Sequence, residues 1–369
     1  MAKIFHNIMK PVDQAGDKLS QTTRPKNILF MVPGFPADAQ DSTCIPALQQ
    51  YAYHASRRPE VKITVVAFQY PFTQGHYDWQ GIPVYACGGA GRGGWRRLRT
   101  WLRAVVYFLR IHRREKVSTI HSFWLSECAL LGQLLAGLLR IRHVASIMGQ
   151  DAQAGNRYLK WFRWRRMTIT APSEFAAKTF RESTGQAALQ IIPIGLAEDD
   201  RPEAAAQRDI DILGVGALTA LKNYRLFIEL VDRLRPEFPE LRGVIIGEGP
   251  ERAALEAQIA GKGLQGHVRL AGQLSRPEVL AQMARSRILL HPSSYESQGY
   301  VLMEALYCGM AVVCLPVGYT VPSERMRVCR DAAEMGRELA DLLRQHLPPQ
   351  SLLLKPIAET VNAFQELYR

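Results

Sequence analysis

What this chain lacks narrows what it can do. Its six cysteines, at 44, 87, 128, 308, 314 and 329, form no C-x-x-C pair and no metal-ligand spacing. That sets aside a disulfide scaffold and a thiolate metal site, and leaves buried free thiols in a reducing cytoplasm as the expectation. No apolar run suffices to span a bilayer, since the longest, Cys128 to Ile141, is broken by Gln133 and Arg140. The opening MAKIFHNIMKPVDQAGDK has no apolar signal core, and residues 1–25 read as a polar leader. There is no repeat at solenoid period and no low-complexity tract. Carboxylates are scarce in one half only: residues 1–200 carry 26 Lys/Arg against 14 Asp/Glu, and residues 201–369 carry 20 of each. The whole net charge of +12 therefore sits in the N-terminal half. Such asymmetry points to an anionic partner: a membrane surface, an acidic acceptor or nucleic acid. No motif that reads RNA or DNA accompanies it, so nucleic acid is not expected.

With 369 residues and 47% hydrophobic content, the chain is long enough for two packed α/β domains. The first half alternates strand and helix: NILFMVPGFP, a helix over Pro46 to Ser56, VKITVVAFQ, a Gly-rich joint at Gly88 to Gly94, STIHSFW, a helix over Ser126 to Leu139, HVASIMG, TITAPS, a helix over Glu174 to Glu182, and LQIIPIG. This spacing predicts a doubly wound parallel sheet over 26–198. LAEDDRPEAAAQR, polar and Ala/Pro-containing, reads as a linker, placed at 199–208. A second alternation over 209–345 runs through DIDILGVG, GVIIGEGP and VRLAG, and the last residues, 346–369, hold one amphipathic helix.

The stretch RILLHPSSYESQGYVLMEALYCGMAVVCLPV, Arg287 to Val317, is the most informative. It reads as strand, loop, helix, strand, a parallel βαβ unit. Ligands bind such sheets beyond the carboxyl ends of the strands, where Glu296 falls. The helix start at Gly299, Tyr300 and Val301 offers N–H groups and a positive dipole end to a phosphate. Glu304, about one and a half turns on, can accept from vicinal hydroxyls. Phosphate at the N–H groups, ribose at one carboxylate and sugar at the other describe a nucleotide-sugar.

Two glutamates eight apart, with Gly-aromatic-aliphatic after the first and Glu-Ala-Leu at the second, resemble the E-x7-E motif of retaining glycosyltransferases of family 4. The resemblance covers roughly residues 27–320 and is specific from Val215 to Val317. It implies two Rossmann-like domains facing across a cleft, the GT-B architecture, with the C-terminal helix crossing back to the N-terminal domain. VGALTALKNYRLF is similar to the family's Gly-Arg-Leu-x-x-x-Lys phosphate motif, with Gly216, Leu218 and Lys222 matching and Ala217 at the arginine position. Lys222 would set an ammonium against the β-phosphate as charge grows there. GEGPERAALE resembles the family's Gly-Asp/Glu-Gly-Pro turn, so Gly247, Glu248 and Gly249 would approach the donor, and Gly272 to Leu274 would meet the base.

In the N-terminal half, Gly34, Gly149, His121 and Asp151 are expected on cleft-facing loops or strand ends. His121 is either a catalytic group or a core histidine bonded to backbone. Asp151 either orients an acceptor hydroxyl as its base or forms a turn. The family frequently has a histidine where Met148 or Phe123 stands, and this sequence departs at both. Asp209-Ile-Asp211 spells D-x-D but opens an apolar strand, and no metal or other cofactor is expected beyond a UDP- or GDP-sugar donor. Two basic, aromatic segments, 92–116 and 157–167, read as amphipathic helices fit for an anionic membrane surface or as ordinary packed surface helices. The expectation is a cytoplasmic, metal-independent, retaining hexosyltransferase acting on a glycan or lipid-linked glycan, peripheral on the inner face of the membrane. The alternatives are another GT-B enzyme, such as a nucleotide-sugar epimerase, and a non-catalytic partner that kept the fold.

Overall fold

The computed structural model describes residues 25–186, 189–203, 205 and 207–369, so the expected leader lies, but for Pro25, outside the described residues. The N-terminal domain contains β1 (Lys26–Gly34), α1 (Pro46–Ser56), β2 (Val61–Tyr70), β3 (Gly75–Trp79), β4 (Ile82–Ala86), α2 (Gly94–Glu115), β5 (Thr119–Phe123), α3 (Glu127–Leu139), β6 (Arg142–Ser146), β7 (Thr168–Ala171), α4 (Glu174–Thr184) and β8 (Gln190–Ile191). The C-terminal domain contains β9 (Ile210–Val215), α5 (Tyr224–Leu234), β10 (Gly243–Ile246), α6 (Arg252–Gly261), β11 (Val268–Gly272), α7 (Arg276–Ala284), β12 (Ser286–His291), α8 (Tyr300–Tyr307), β13 (Ala311–Cys314), β14 (Met326–Val328) and α9 (Ala332–Gln345); α10 (Ile357–Tyr368) ends the chain.

The first sheet has strand order β3-β4-β2-β1-β5-β6-β7-β8 and the second β11-β10-β9-β12-β13-β14. Every described pairing is parallel except that of β3 with β4. Residues Ile28 to Val32 of β1 are all buried, the apolar run of a strand covered on both faces. One face meets α1 and α10 through Phe30, Tyr51, Phe123 and Phe364. The other meets α2 and α3 through Leu29, Met31, Phe108 and Cys128.

After α9 the chain returns to the N-terminal domain. The Tyr368 hydroxyl lies 2.7 Å from that of Tyr51 and 2.6 Å from His121 Nδ1. Residues Leu196 and Pro356 form a parallel bridge, so two segments join the domains side by side.

One element goes unread in the sequence, and one local expectation fails. The β3–β4 hairpin was hidden because its turn is Gln80-Gly81, with φ 51 and 87, which lacks the usual Asn-Gly or Asp-Gly signal. Residues 157–167 form no amphipathic helix. They make two short 3₁₀ turns, Arg157–Trp161 and Trp164–Arg166, with Leu159 buried in the first and Phe162 buried in the stretch between them. No described helix is long and apolar enough to cross a membrane.

Candidate active site

The carboxyl ends of both sheets face a cleft of about 540 Å³ between the domains. From the C-terminal domain it is lined by Gly216, Lys222, Gly247, Glu248, Leu274, Glu296, Gly299, Tyr300, Val301 and Glu304. From the N-terminal domain come Ser42, Thr43, Ile45, Trp124, Met148 and Pro172.

Glu296 is the electrostatic centre. Its Oε1 accepts from Lys222 Nζ at 2.5 Å and from His291 Nε2 at 2.9 Å. Burial disfavours its charge, but the hydrogen bond from His291 and the Lys222 ammonium outweigh that and hold the carboxyl at about 2. Burial likewise keeps the His291 imidazole below its usual range, so the ring donates as the neutral form. His291 ends β12, so the strand itself aims it at the ligand edge.

Gly299 begins α8 at φ 70, ψ 53, and no side chain caps the helix. A left-handed start suits glycine and leaves the first N–H groups facing the cleft. Glu304, one residue past the first turn, is buried, and that burial raises its carboxyl pKa despite the Arg276 guanidinium beside it. Arg276, at the start of α7, donates from Nε to Glu304 at 3.0 Å. Its two terminal nitrogens fork onto Asp200 at 3.0 and 2.8 Å. Asp200 belongs to the interdomain segment, which also binds α8 and the loop before it: Tyr307 donates to the Glu198 carbonyl, Tyr300 to that of Gly195, and the loop residue Gln298 to that of Ile194. The helix that carries Glu304 is thereby fastened to the hinge.

Tyr224 adds a further polar group. Its side chain is buried beside Gly216, and its hydroxyl has no hydrogen-bond partner among the described residues. A buried unpaired hydroxyl is costly unless something completes it. Gly247 packs so closely on the Gly216 carbonyl that a side chain there would collide with it.

Several expected residues stand elsewhere. Gly249 backs onto the Leu218 main chain and does not line the cleft. Gly34 packs against Tyr70 and Cys44 behind the Ser42 loop. His121 is fully buried; its Nδ1 meets Tyr368 and its Nε2 meets Ser146 Oγ at 2.7 Å, so it pins α10 to the sheet and does not stand at the cleft mouth. The Asp151 carboxylate is filled by the N–H groups of Leu125, Met148 and Gly149, which makes it the anchor of a cleft loop and no free base. Gly149 stays outside the lining, but its carbonyl accepts from Tyr295 at 3.0 Å across the domain boundary. Asp209 pairs with Arg285 and Asp211 with Arg287, which accounts for the D-x-D. His291, Arg276, Asp200 and Tyr224 were not singled out in the sequence.

Residues 197–324 match the family model for glycosyl transferases group 1. The gpi3 subunit of phosphatidylinositol N-acetylglucosaminyltransferase from Schizosaccharomyces pombe is 34% identical over 161 residues, 42% of this chain and 35% of that protein. The 2-deoxystreptamine glucosyltransferase of Streptomyces kanamyceticus is 27% identical over 212 residues, 51% of this chain and 54% of that protein. A Campylobacter jejuni enzyme named for adding N-acetylgalactosamine to a diphospho-undecaprenol-linked sugar is 35% identical over 133 residues, covering 36% and 32%. The chain thus spans about a third to a half of the length of these relatives. Anabaena HepE, solved with UDP and glucose, superposes with a TM-score of 0.69 at 15% identity, covering 92% of this chain and 98% of that one. Sucrose-phosphate synthase of Thermosynechococcus elongatus gives 0.66 at 16% identity, covering 93% and 96%. The fold is accordingly GT-B, two parallel-sheet α/β domains.

Proposed function

We propose that the protein is a retaining glycosyltransferase that moves a hexose from a UDP- or GDP-sugar to a hydroxyl of a glycan or lipid-linked glycan, without a metal. The observation that carries this is the convergence of Lys222, Glu296 and Glu304 on one interdomain cleft at the open start of α8. The diphosphate would lie on the first N–H groups of α8, with the Lys222 ammonium turning to it from Glu296. Glu296, ionised at neutral pH, would accept from sugar hydroxyls, and Glu304 from the ribose. In the retaining scheme the acceptor hydroxyl attacks the anomeric carbon from the face the nucleotide leaves. The bond from that carbon to the diphosphate oxygen breaks, and a β-phosphate oxygen takes the acceptor proton. This scheme needs no protein nucleophile. The relatives whose names carry phosphatidylinositol and undecaprenol acceptors support a lipid-linked acceptor, met at the cytoplasmic face of a membrane.

Ala217 favours one second reading, a non-catalytic GT-B partner protein, because the cleft has an alanine where the resembled motif has a cation. Thermal-shift titration with UDP, GDP and their sugars, with and without Glu304→Ala, tests both. A shift with one nucleotide family that the variant abolishes, followed by transfer with retained anomeric configuration, is expected. Binding without turnover on any acceptor would move the partner reading to first place, and no binding at all would sink both.

A further inference from the structure

The N-terminal domain has a second surface that the cleft does not use. On α2, Thr100, Ala104, Tyr107, Phe108 and Ile111 are buried against the sheet. At 3.6 residues per turn, Trp95, Leu98, Leu102 and Val106 fall on roughly the opposite side. They are 71%, 44%, 54% and 51% exposed. A helix packed on a sheet needs one apolar stripe, and α2 has two.

The outer stripe does not stand alone. Helix α3 covers the same sheet face as α2, and its Leu134 and Leu138 are 58% and 74% exposed. Trp161, in the adjoining 3₁₀ turn, is 64% exposed. The three elements are fastened together: Trp101 of α2 donates to Glu127 of α3 at 2.6 Å, and Gln133 of α3 binds the Trp161 carbonyl and the Arg163 N–H. Such a grouping of large apolar side chains exceeds the scattered surface hydrophobes of an ordinary domain.

Cations surround it. Arg96, Arg99, Arg110 and Arg113 on α2 are exposed, as are Arg163 and Arg166 beside Trp161. The only carboxylates on these elements are Glu115, paired with Lys62, and Glu127, which is buried. A second copy of the chain is a poor occupant, because a two-fold contact would set arginines against arginines. A bilayer with anionic headgroups supplies both an apolar interior and the opposite charge.

We infer that the face formed by α2, the outer side of α3 and the Trp161 turn docks on an anionic lipid bilayer. Tryptophan and leucine side chains enter the acyl boundary while the arginines meet lipid phosphates. Trp95 stands at the N-terminal end of α2, on the stretch that leaves the carboxyl end of β4, which puts this edge of the docked face on the side of the sheet where the strands end. The inference rests on the proposed function only for its use, delivery of a lipid-linked acceptor, since the docking itself requires no turnover.

The test is cosedimentation of the full chain with phosphatidylcholine vesicles and with mixed phosphatidylglycerol/phosphatidylcholine vesicles. Affinity on the order of 10-fold or more higher for the anionic vesicles is expected. Trp95→Ser/Leu98→Ser/Leu102→Ser and Arg96→Glu/Arg99→Glu should each lose on the order of 10-fold with an unchanged melting temperature. Trp161→Ser, outside the helix, should lose part of the binding even if the triple variant misfolds. Equal affinity for neutral and anionic vesicles, no binding, or a solution dimer that the stripe variant dissolves would each overturn the docking. Sugar transfer without vesicle binding would remove only this inference; vesicle binding without transfer would remove only the proposed function.

Discussion

Replacing Asp200 by alanine tests whether the hinge and the donor helix are one energetic unit. The substitution removes both oxygens from the Arg276 fork and leaves that guanidinium with Glu304 alone. Removing one partner of a buried ion pair costs about 3–5 kcal/mol. Here the Arg276 and Asp200 side chains are 12% and 16% exposed, so water recovers part of that. About 2–3 kcal/mol is the working figure. For domains of this size that is a melting-temperature fall of roughly 4–12 °C. The released guanidinium would then close on Glu304 with more of its donors and compete with any hydroxyl brought there. UDP affinity should fall by about 10-fold, equivalent to about 1.4 kcal/mol. Isothermal titration with UDP of the wild type, Asp200→Ala, Glu304→Ala and the double variant forms a cycle that isolates the coupling. Arg276 is the described link between the two carboxylates, so the double variant should bind UDP about as weakly as Glu304→Ala alone. Additive losses, within about 0.5 kcal/mol, would refute the coupling, because independent sites add.

Three further outcomes follow from the same structure. Glu296 has its carboxyl lowered from 4.5 to about 2, so it stabilises the fold above pH 4.5 and loses that contribution as the pH falls through about 2; the full linkage is about 3 kcal/mol. Melting temperatures of the wild type should therefore fall more steeply than those of Glu296→Gln across that window, and parallel curves would refute the assignment. Tyr224→Phe removes an unpaired buried hydroxyl, so its melting temperature should hold or rise while nucleotide binding weakens if a donor phosphate completes that group; a loss above about 1 kcal/mol would mean the hydroxyl is bonded in the free protein. Tyr368→Phe strips partners from Tyr51 and His121 and should cost about 1–3 kcal/mol, seen first as faster hydrogen exchange in α10 with UDP binding intact; protection equal to the wild type would contradict the pinning role.

The alternation of strands and helices was plain in the sequence because parallel strands such as β1 carry an unbroken apolar run, Ile28 to Val32, and helices such as α3 begin on a serine whose side chain caps them. Lys222, Glu296 and Glu304 were legible because they lie in runs whose local chemistry and resemblance agree. His121 misled because a histidine near a strand's carboxyl end can point to either side; here it points inward, to Tyr368, which is 247 residues away. Arg276 and Asp200, 76 residues apart, carry no motif, and their pairing exists only once the second domain turns back on the hinge. Tyr224 carries no sequence signal of its own; it is a core residue, and only its unpaired hydroxyl distinguishes it. The second basic segment has the right composition for a helix, yet its backbone is extended at Phe162 and leaves the helical region again at Arg163, between two 3₁₀ turns.

The bridge between Leu196 and Pro356 decides how the two halves of the molecule can move. A single connecting strand would be a tether, free to twist, slide and swing. Two strands held side by side make a pin, and a pinned pair of bodies keeps one easy motion, rotation about the pin. Opening and closing then follow one arc, and each closure returns the Ser42 loop and Met148 to the same register against α7 and α8. Cutting the chain between α9 and α10 would remove the pin while leaving every cleft residue in place, turning a door into a leash.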